Sequence, residues 1–413
     1  MADKSGLIIE ALTDETIDLM RRRIGFPNPT LRGSLDLGPW NTVASQDAFR
    51  KFAICMGDDN PFYVDPEYAK KTRWGGPIAP PGFEMSMGEN RSPLMDPEFE
   101  KITSKALRGI HLFNSGTDHF YYRPITPGDR LYGSGWVSAV EEKKSEYAKK
   151  SVLVTNEHQS WNQNEDVMFA GKSWFVHAER KKASNTEGKY AKDEPALYTD
   201  EQIAEIELAY DNQYLRGADT LYIEDCEVGQ TLPKMVKGPL TVTDLINYHM
   251  GAGWKPYGNY PYRLAYESRK RARGFYTRDQ YNNWDVLQRI HWDSGLARQI
   301  GVQMGYDIGP MRYSMLTHYL SSFAGDDAWI YYIRSEYRSF NYFGDTTWIT
   351  GTITDVRVDD TLGPLIDVEV LGTSQRGVEN LRGKATILVA SRASGLAQLP
   401  PAPPVTEHRR AST

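Results

Sequence analysis

Apolar positions recur at mixed helical spacings over residues 7–24, where Leu7, Ile8, Leu12, Ile17, Leu19, Met20 and Ile24 precede Gly25, Pro27 and Pro29. This spacing predicts a peripheral lead-in helix with a proline stop. Residues 45–56, SQDAFRKFAICM, open on a Ser cap, carry one apolar stripe and run into Gly57, which predicts a short helix facing a core. Beyond a loop-rich stretch the pattern changes. Runs at Tyr121-Tyr122, Leu131-Tyr132, Trp136-Val137, Ser151 to Thr155 and Met168 to Val176 are separated by turn residues, which is the signature of antiparallel strands. The polar stretch from Ala183 to Asp193 and a helical pattern from Asp200 to Tyr214 then read as a linker over 183–216.

The pattern is stated twice. Met56-Gly57 matches Met250-Gly251 at the end of TVTDLINYHMG, an offset of 194; Asp65 and Ala69 match Asp293 and Ala297 at 228; Ile78 matches Ile308 at 230; and Gly128-Asp129 with Gly135 matches Gly344-Asp345 with Gly351 at 216. Preserved order across these anchors implies duplication, with about 34 additional residues in the second copy between its short helix and Asp293. Each half is expected to run helix, loop, longer helix, then four antiparallel strands.

Composition narrows the function classes. The chain of 413 residues is 40% hydrophobic and 25% charged with a net charge of -6, so it is an ordinary globular chain long enough for two domains. The acidic balance argues against a general nucleic-acid binder, because phosphate neutralisation needs a basic face. Two cysteines, Cys55 and Cys226, cannot build a disulfide framework or a cysteine-rich zinc site, which points to a reducing compartment. No apolar run approaches membrane-spanning length and no leader pattern opens the sequence, so a cytoplasmic location without membrane contact is expected. His-Glu-x-x-His, Cys-x-x-Cys and a helix-entering Gly-x-Gly-x-x-Gly are absent, and neither a metal nor a nucleotide cofactor is expected.

Residues 56–82, MGDDNPFYVDPEYAKKTRWGGPIAPPG, resemble the hydratase motif of MaoC-like dehydratases and R-specific enoyl-CoA hydratases, a Gly-Asp-x-Asn-Pro-x-His-x-Asp segment followed by Ala, Gly and Ile-Ala ahead of a central helix. Gly57, Asp58, Asn60, Pro61, Asp65, Ala69, Gly76, Ile78 and Ala79 fit that pattern, whereas Tyr63 stands where the family has its histidine. The second half departs the other way: Ile290-His291-Trp292-Asp293 keeps the histidine, but Ala252 and Trp254 replace the Asp and Asn. The resemblance implies an α+β fold of two fused hot-dog domains, each an antiparallel sheet wrapped around a central helix. The first would occupy 1–182 and the second 217–395, with an insertion at 255–289 and a proline-rich disordered tail at 396–413. It implies addition or removal of water across the double bond of an enoyl-CoA thioester, with coenzyme A entering as part of the substrate. A dimer or higher homo-oligomer of the fused pairs is expected on the same ground.

Such chemistry needs a base for the attacking water, an acid for the α-carbon and donors for the enolate oxygen. His291 is the leading candidate acid/base, oriented by Asp285 or Asp307, with packing of the ring as the plain alternative. Asp58 and Asn60 could touch substrate or water, or cap their own loop as Asx turns. Tyr63 is a candidate substrate contact. The resemblance places the enolate donors at the starts of the long helices, where Pro80, Pro81 and Pro310 lack N–H groups, leaving Gly82 in the first half and Met311 or Gly309 in the second. The basic run Ser268-Arg269-Lys270-Arg271-Ala272-Arg273 is either a solvated face or a contact for the phosphates of coenzyme A through Arg269, Arg271 and Arg273. The same fold also hosts thioesterases, and a non-catalytic acyl-CoA-binding subunit is a further alternative.

Overall fold

Ser45 and Thr241 do the same job 196 residues apart. Each accepts a hydrogen bond from the backbone N–H three residues on, at Ala48 (3.2 Å) and Asp244 (3.2 Å), and so starts a helix that packs against the other. Gly251 allows the two helices to meet, because a Cβ there would fall 2.2 Å from the Cys55 Cβ. A computed structural model of the chain describes residues 6, 10–29, 35, 37–92, 95–143, 150–178, 193–253 and 260–406.

In chain order the helices are α1 (Asp14–Arg21), α2 (Gln46–Cys55), α3 (Pro61–Val64), α4 (Pro66–Ala69), α5 (Pro97–Thr103), α6 (Asp200–Asp211), α7 (Val242–Ala252), α8 (Tyr262–Arg271), α9 (Ser294–Gln299) and α10 (Gly309–Ala324). The strands are β1 (Glu89–Asn90), β2 (His111–Tyr121), β3 (Tyr132–Lys143), β4 (Ser151–Trp161), β5 (Val167–Ala178), β6 (Thr231–Lys237), β7 (Tyr276–Arg278), β8 (Trp284–Val286), β9 (Trp329–Tyr337), β10 (Thr347–Asp359), β11 (Gly363–Ser374) and β12 (Glu379–Leu388). Ten of them form one sheet in the order β1-β3-β4-β5-β2-β9-β12-β11-β10-β6, while β7 and β8 make a separate hairpin. The halves join where β2 lies antiparallel to β9, and there Asp118 faces Arg334 in register and pairs with it at 3.2 Å.

The duplication is visible bond for bond. Gly128 N–H donates to Ala44 O (2.9 Å) and Ala44 N–H to Asp129 O (2.8 Å); Gly344 N–H donates to Leu240 O (2.8 Å) and Leu240 N–H to Asp345 O (2.9 Å). Asp65 caps α4 by accepting the Glu67 N–H, and Asp293 caps α9 by accepting the Leu296 N–H. The halves then diverge. α10 runs for 16 residues and is buried on every side from Met311 to Ala324 against the sheet. The matching segment of the first half is one 3-10 turn, Phe83–Ser86, after which Gly88 at φ +114° leads the chain out of any helical path. The expected long helix of the first half is therefore cut to a single turn, because Gly88 and the polar run that follows it supply neither propensity nor an apolar stripe.

Two other expectations change. α1 begins at Asp14 under a Thr13 cap, with residues 10–13 irregular and Leu7 and Ile8 outside the described residues. Linker residues 183–192, Trp254 and the tail beyond 406 also lie outside them. Residues 397–406, expected as disordered tail, instead run over the first half. Ala397 O accepts from Arg73 (2.6 Å), Pro400 O from Arg123 (2.7 Å) and Pro404 O from Gln159 (3.0 Å).

Candidate active site

The first-half motif folds over the second half's helix. Asp58 Oδ1 accepts the Asn60 N–H (3.1 Å) and Asn60 Oδ1 the Phe62 N–H (2.9 Å), successive Asx bonds that start α3 and bury both side chains. Asn60 Nδ2 continues to Asp326 Oδ1 at 3.3 Å, and the Tyr68 hydroxyl donates to the other Asp326 oxygen at 2.6 Å. These bonds hold Asp58 against α10. There the His318 ring brings Nε2 to 3.7 Å from Asp58 Oδ1, and both side chains are buried. Lys237, from the end of β6, donates to Met56 O at 2.8 Å and sits 2.7 Å from His318 Nδ1. An ammonium has no lone pair, so Nδ1 is the acceptor and the hydrogen of His318 lies on Nε2, the nitrogen beside Asp58.

Burial raises the Asp58 carboxyl above its ordinary range, with Lys237 partly opposing the shift; burial likewise lowers the Lys237 amine, opposed by Asp58. His318 is held well below its usual value, first by burial and then by the Lys237 charge, so it is neutral. Asp58, His318, Met56, Ser314, Thr317 and Ser321 line a narrow pocket walled by Pro80 and Pro81. The same two prolines and Ser321 also line a larger cleft, whose non-atom space, solvent mouth included, is about 610 Å³. Tyr63, Trp74, Ile78, Tyr121, Ile125 and Trp329 make it largely apolar, and Glu84 and Asp326 bring the carboxyl groups to its wall. Tyr63, at the family's histidine position, is buried with Ser321 beside its hydroxyl, and burial carries its pKa well above the usual range.

Glu84, two residues past Gly82, is buried at 5% exposure. Its Oε2 accepts the Gly82 N–H at 2.9 Å and its Oε1 lies 2.8 Å from the Tyr121 hydroxyl. The N–H expected to meet a thioester oxygen is therefore held by a carboxyl group. Burial pushes Glu84 up to about 7 despite these two bonds.

His291 is differently placed. Its Nδ1 bonds to Tyr306 O at 3.0 Å and its ring packs edge-on to Tyr306 at 4.6 Å. Burial lowers its pKa to about 3. Neither expected carboxylate orients it. Asp307 gives its side chain to Arg312, with Nε to Oδ2 at 2.8 Å and Nη2 to Oδ1, and to Asn341 at 3.2 Å; its backbone is what neighbours the imidazole. Asp285 sits in the β7–β8 hairpin and accepts from Val286 N–H at 2.7 Å. The second-half helix start is closed as well. Met311 N–H is bonded to Ile308 O (3.0 Å), and a Cβ on Gly309 would lie 2.7 Å from the Asn114 amide. Of the basic run, Arg269 and Arg273 lie over the Trp284 ring at 4.9 and 3.8 Å, while Arg271 is exposed. His318, Lys237 and Glu84 were not singled out by motif, although an imidazole on the central helix and a glutamate in an apolar run were visible signals.

The fold and site define a double hot-dog protein of α+β class with a carboxylate and an imidazole in a narrow pocket that adjoins an apolar cleft. Residues 34–170 match the family model of the FAS1-like dehydratase domain region. A UPF0336 protein from Streptomyces avermitilis is 31% identical over 98 residues, which make up 23% of this chain and 61% of that protein's length. A UPF0336 protein from Thermobifida fusca is 35% identical over 82 residues, 19% of this chain and 50% of its own. Among solved structures, a MaoC-like dehydratase superposes with a TM-score of 0.58 at 16% identity over 89% of this chain and 99% of its own. A MaoC domain protein dehydratase from Chloroflexus aurantiacus gives 0.50 at 12% identity over 85% and 93%. By sequence the chain is similar to the FAS1-like dehydratase region within its first half, and along most of its length it has the hot-dog fold of the MaoC-like dehydratase structure. Among the described residues no helix is long and apolar enough to cross a membrane.

Proposed function

We propose that this chain adds or removes water across the α,β double bond of an enoyl-CoA thioester, with Asp58 and His318 as the water-handling pair. The observation that carries this reading is the burial of that carboxylate beside a neutral imidazole, 3.7 Å apart, in a pocket that shares its walls with an apolar cleft. The motif of one half supplies the carboxylate and the helix of the other supplies the ring, in place of the histidine that Tyr63 replaces. In hydration the oxygen of water bonds to the β-carbon and its proton passes to the Asp58 carboxylate. The Nε2–H of His318 holds the water, and Lys237 fixes that tautomer from behind. The alkene electrons move towards the thioester carbonyl, and the α-carbon then takes a proton from a second acid. Dehydration is the reverse. The apolar walls suit an acyl chain, and Arg269, Arg271 and Arg273 are the candidate contacts for the coenzyme A phosphates. A cytoplasmic homo-oligomer agrees with the composition and with the family.

The test is a panel of enoyl-CoA and 3-hydroxyacyl-CoA thioesters, incubated with the protein and read by mass spectrometry for gain or loss of water. At least one should be converted. Asp58→Asn should lower kcat about 100- to 10,000-fold, and His318→Phe by at least the lower figure. Conversion of no thioester, or full activity in Asp58→Asn, overturns the reading; release of free coenzyme A instead would identify a thioesterase.

A further inference from the structure

The hydration reading leaves the proton for the α-carbon without a source, and a second buried carboxyl, Glu84, stands on the wall of the apolar cleft that adjoins the Asp58 pocket. Behind Glu84 runs an unbroken chain of contacts. Tyr121 Oη lies 2.8 Å from Glu84 Oε1, Tyr313 Oη lies 2.8 Å from Tyr121 Oη, His119 Nδ1 lies 3.0 Å from Tyr313 Oη, and Thr117 Oγ1 lies 2.9 Å from His119 Nε2. Thr117 Oγ1 also reaches Lys172 O at 2.8 Å. The chain draws on β2 and α10, so it spans both halves.

Counting hydrogens gives this chain two states. When Thr117 donates to Lys172 O, it must accept from His119 Nε2–H, which leaves Nδ1 to accept from Tyr313, Tyr313 to accept from Tyr121, and Tyr121 to accept from a protonated Glu84. When Glu84 is ionised, every donor turns the other way: Tyr121 donates to Glu84, Tyr313 to Tyr121, His119 Nδ1–H to Tyr313 and Thr117 to Nε2. Each state is bonded at every link from Glu84 to Thr117, the ionised one giving up only the Thr117 bond to Lys172 O, and the two differ by one proton on Glu84 and by the tautomer of His119. A buried carboxyl commonly has good partners in only one protonation state; this one has them in both.

We infer that Glu84 is the second catalytic acid/base of the cleft, giving the proton to the α-carbon in hydration, with Tyr121, Tyr313 and His119 as positioning residues that reverse their hydrogen bonds as it titrates. This inference rests on the hydration reading. In hydration the proton leaves Glu84 for the α-carbon while Asp58 gains one from water, and the pair resets by returning one proton through solvent, so the sum is one water added. The other titratable groups near the chain are His158 on β4, which burial holds neutral with a pKa of about 4, Tyr248 on α7 and Tyr337 on β9, whose pKa values burial raises, and Asp118 on β2, which is paired with Arg334. Glu84 at about 7 is thus the member able to exchange a proton near neutral pH.

Two measurements test it. In the ligand-free protein, the ¹⁵N shifts of the His119 ring should pass from the Nε2–H to the Nδ1–H tautomer as pH rises, with the midpoint of the Glu84 carboxyl, and this change should vanish in Glu84→Gln. With crotonyl-CoA or any thioester the panel shows to be converted, Glu84→Gln should lose kcat about 100-fold or more with KM changed less than threefold. His119→Phe should keep part of the turnover but move the alkaline limb of its pH profile. A tautomer indifferent to pH, or Glu84→Gln as active as the parent while Asp58→Asn is dead, overturns this inference and spares the hydration reading. A parent protein inert toward every thioester sinks both.

Discussion

The starts of the two central-helix segments are the same place in the duplicated fold, and they have become opposites. In the second half the first turn carries Arg312, buried and bonded to Asp307, to Ser339 O at 2.7 Å and to Asn380 O at 2.9 Å, with Asn341 on the remaining side of Asp307. Every polar group is taken by another part of the protein. In the first half the helix is one turn long, and its carboxyl group, Glu84, faces a cleft with its pKa carried up to about 7. Where the polar groups are saturated the site has become framework; where a carboxyl is buried beside open space it can still exchange protons with something that enters.

This contrast can be broken most forcefully at Arg312. Arg312→Met leaves the Asp307 carboxylate buried without its cation and should cost about 3–5 kcal/mol in chemical denaturation, a loss expected when one partner of a buried pair is removed. A cost below about 1 kcal/mol would mean that the second half is not locked as described.

The next effect is a pH dependence at Glu84. Its folded value of about 7 lies above the ordinary 4.5, so the folded state binds more protons between those values. Its contribution to stability is complete below 4.5 and fades as pH rises through about 7. Relative to the parent, Glu84→Gln should lose a slope approaching 1.4 kcal/mol per pH unit within that window, read from denaturation midpoints at several pH values. Parallel curves for the two proteins would contradict the raised pKa.

The smallest effect is expected at His291, where the family resemblance alone would place the largest. Glutamine can keep the bond to Tyr306 O, so His291→Gln should change turnover less than threefold and stability by no more than about 1 kcal/mol. With a pKa of about 3 the ring also has no titration to add to a rate profile near neutrality. A hundredfold loss of kcat would return the working site to the second half.

Local features were legible in the amino-acid order. The cap at Ser45, the Gly128-Asp129 and Gly344-Asp345 anchors and the first-half strand runs each depend on residues within a few positions of one another, and the structure has them where spacing puts them. Asp58 and Asn60 were legible for the same reason, since their Asx bonds span two residues. The shortened first-half helix was harder to see, because the motif before it matches a family in which a long helix follows, and only Gly88 and Pro93 argue otherwise.

Sequence by itself thus settled the duplication, the α+β hot-dog class and the identity of one carboxylate, that of Asp58, in the pocket beside the cleft. Tertiary structure alone decided what that carboxylate faces. Asp58 and His318 are 260 positions apart, and Glu84 and Tyr313 are 229 apart, and no periodicity or motif links either pair. The pKa of a buried acid is governed by the groups that fold around it, through desolvation and hydrogen bonding at a few ångströms, and those distances exist only once both halves have closed on α10.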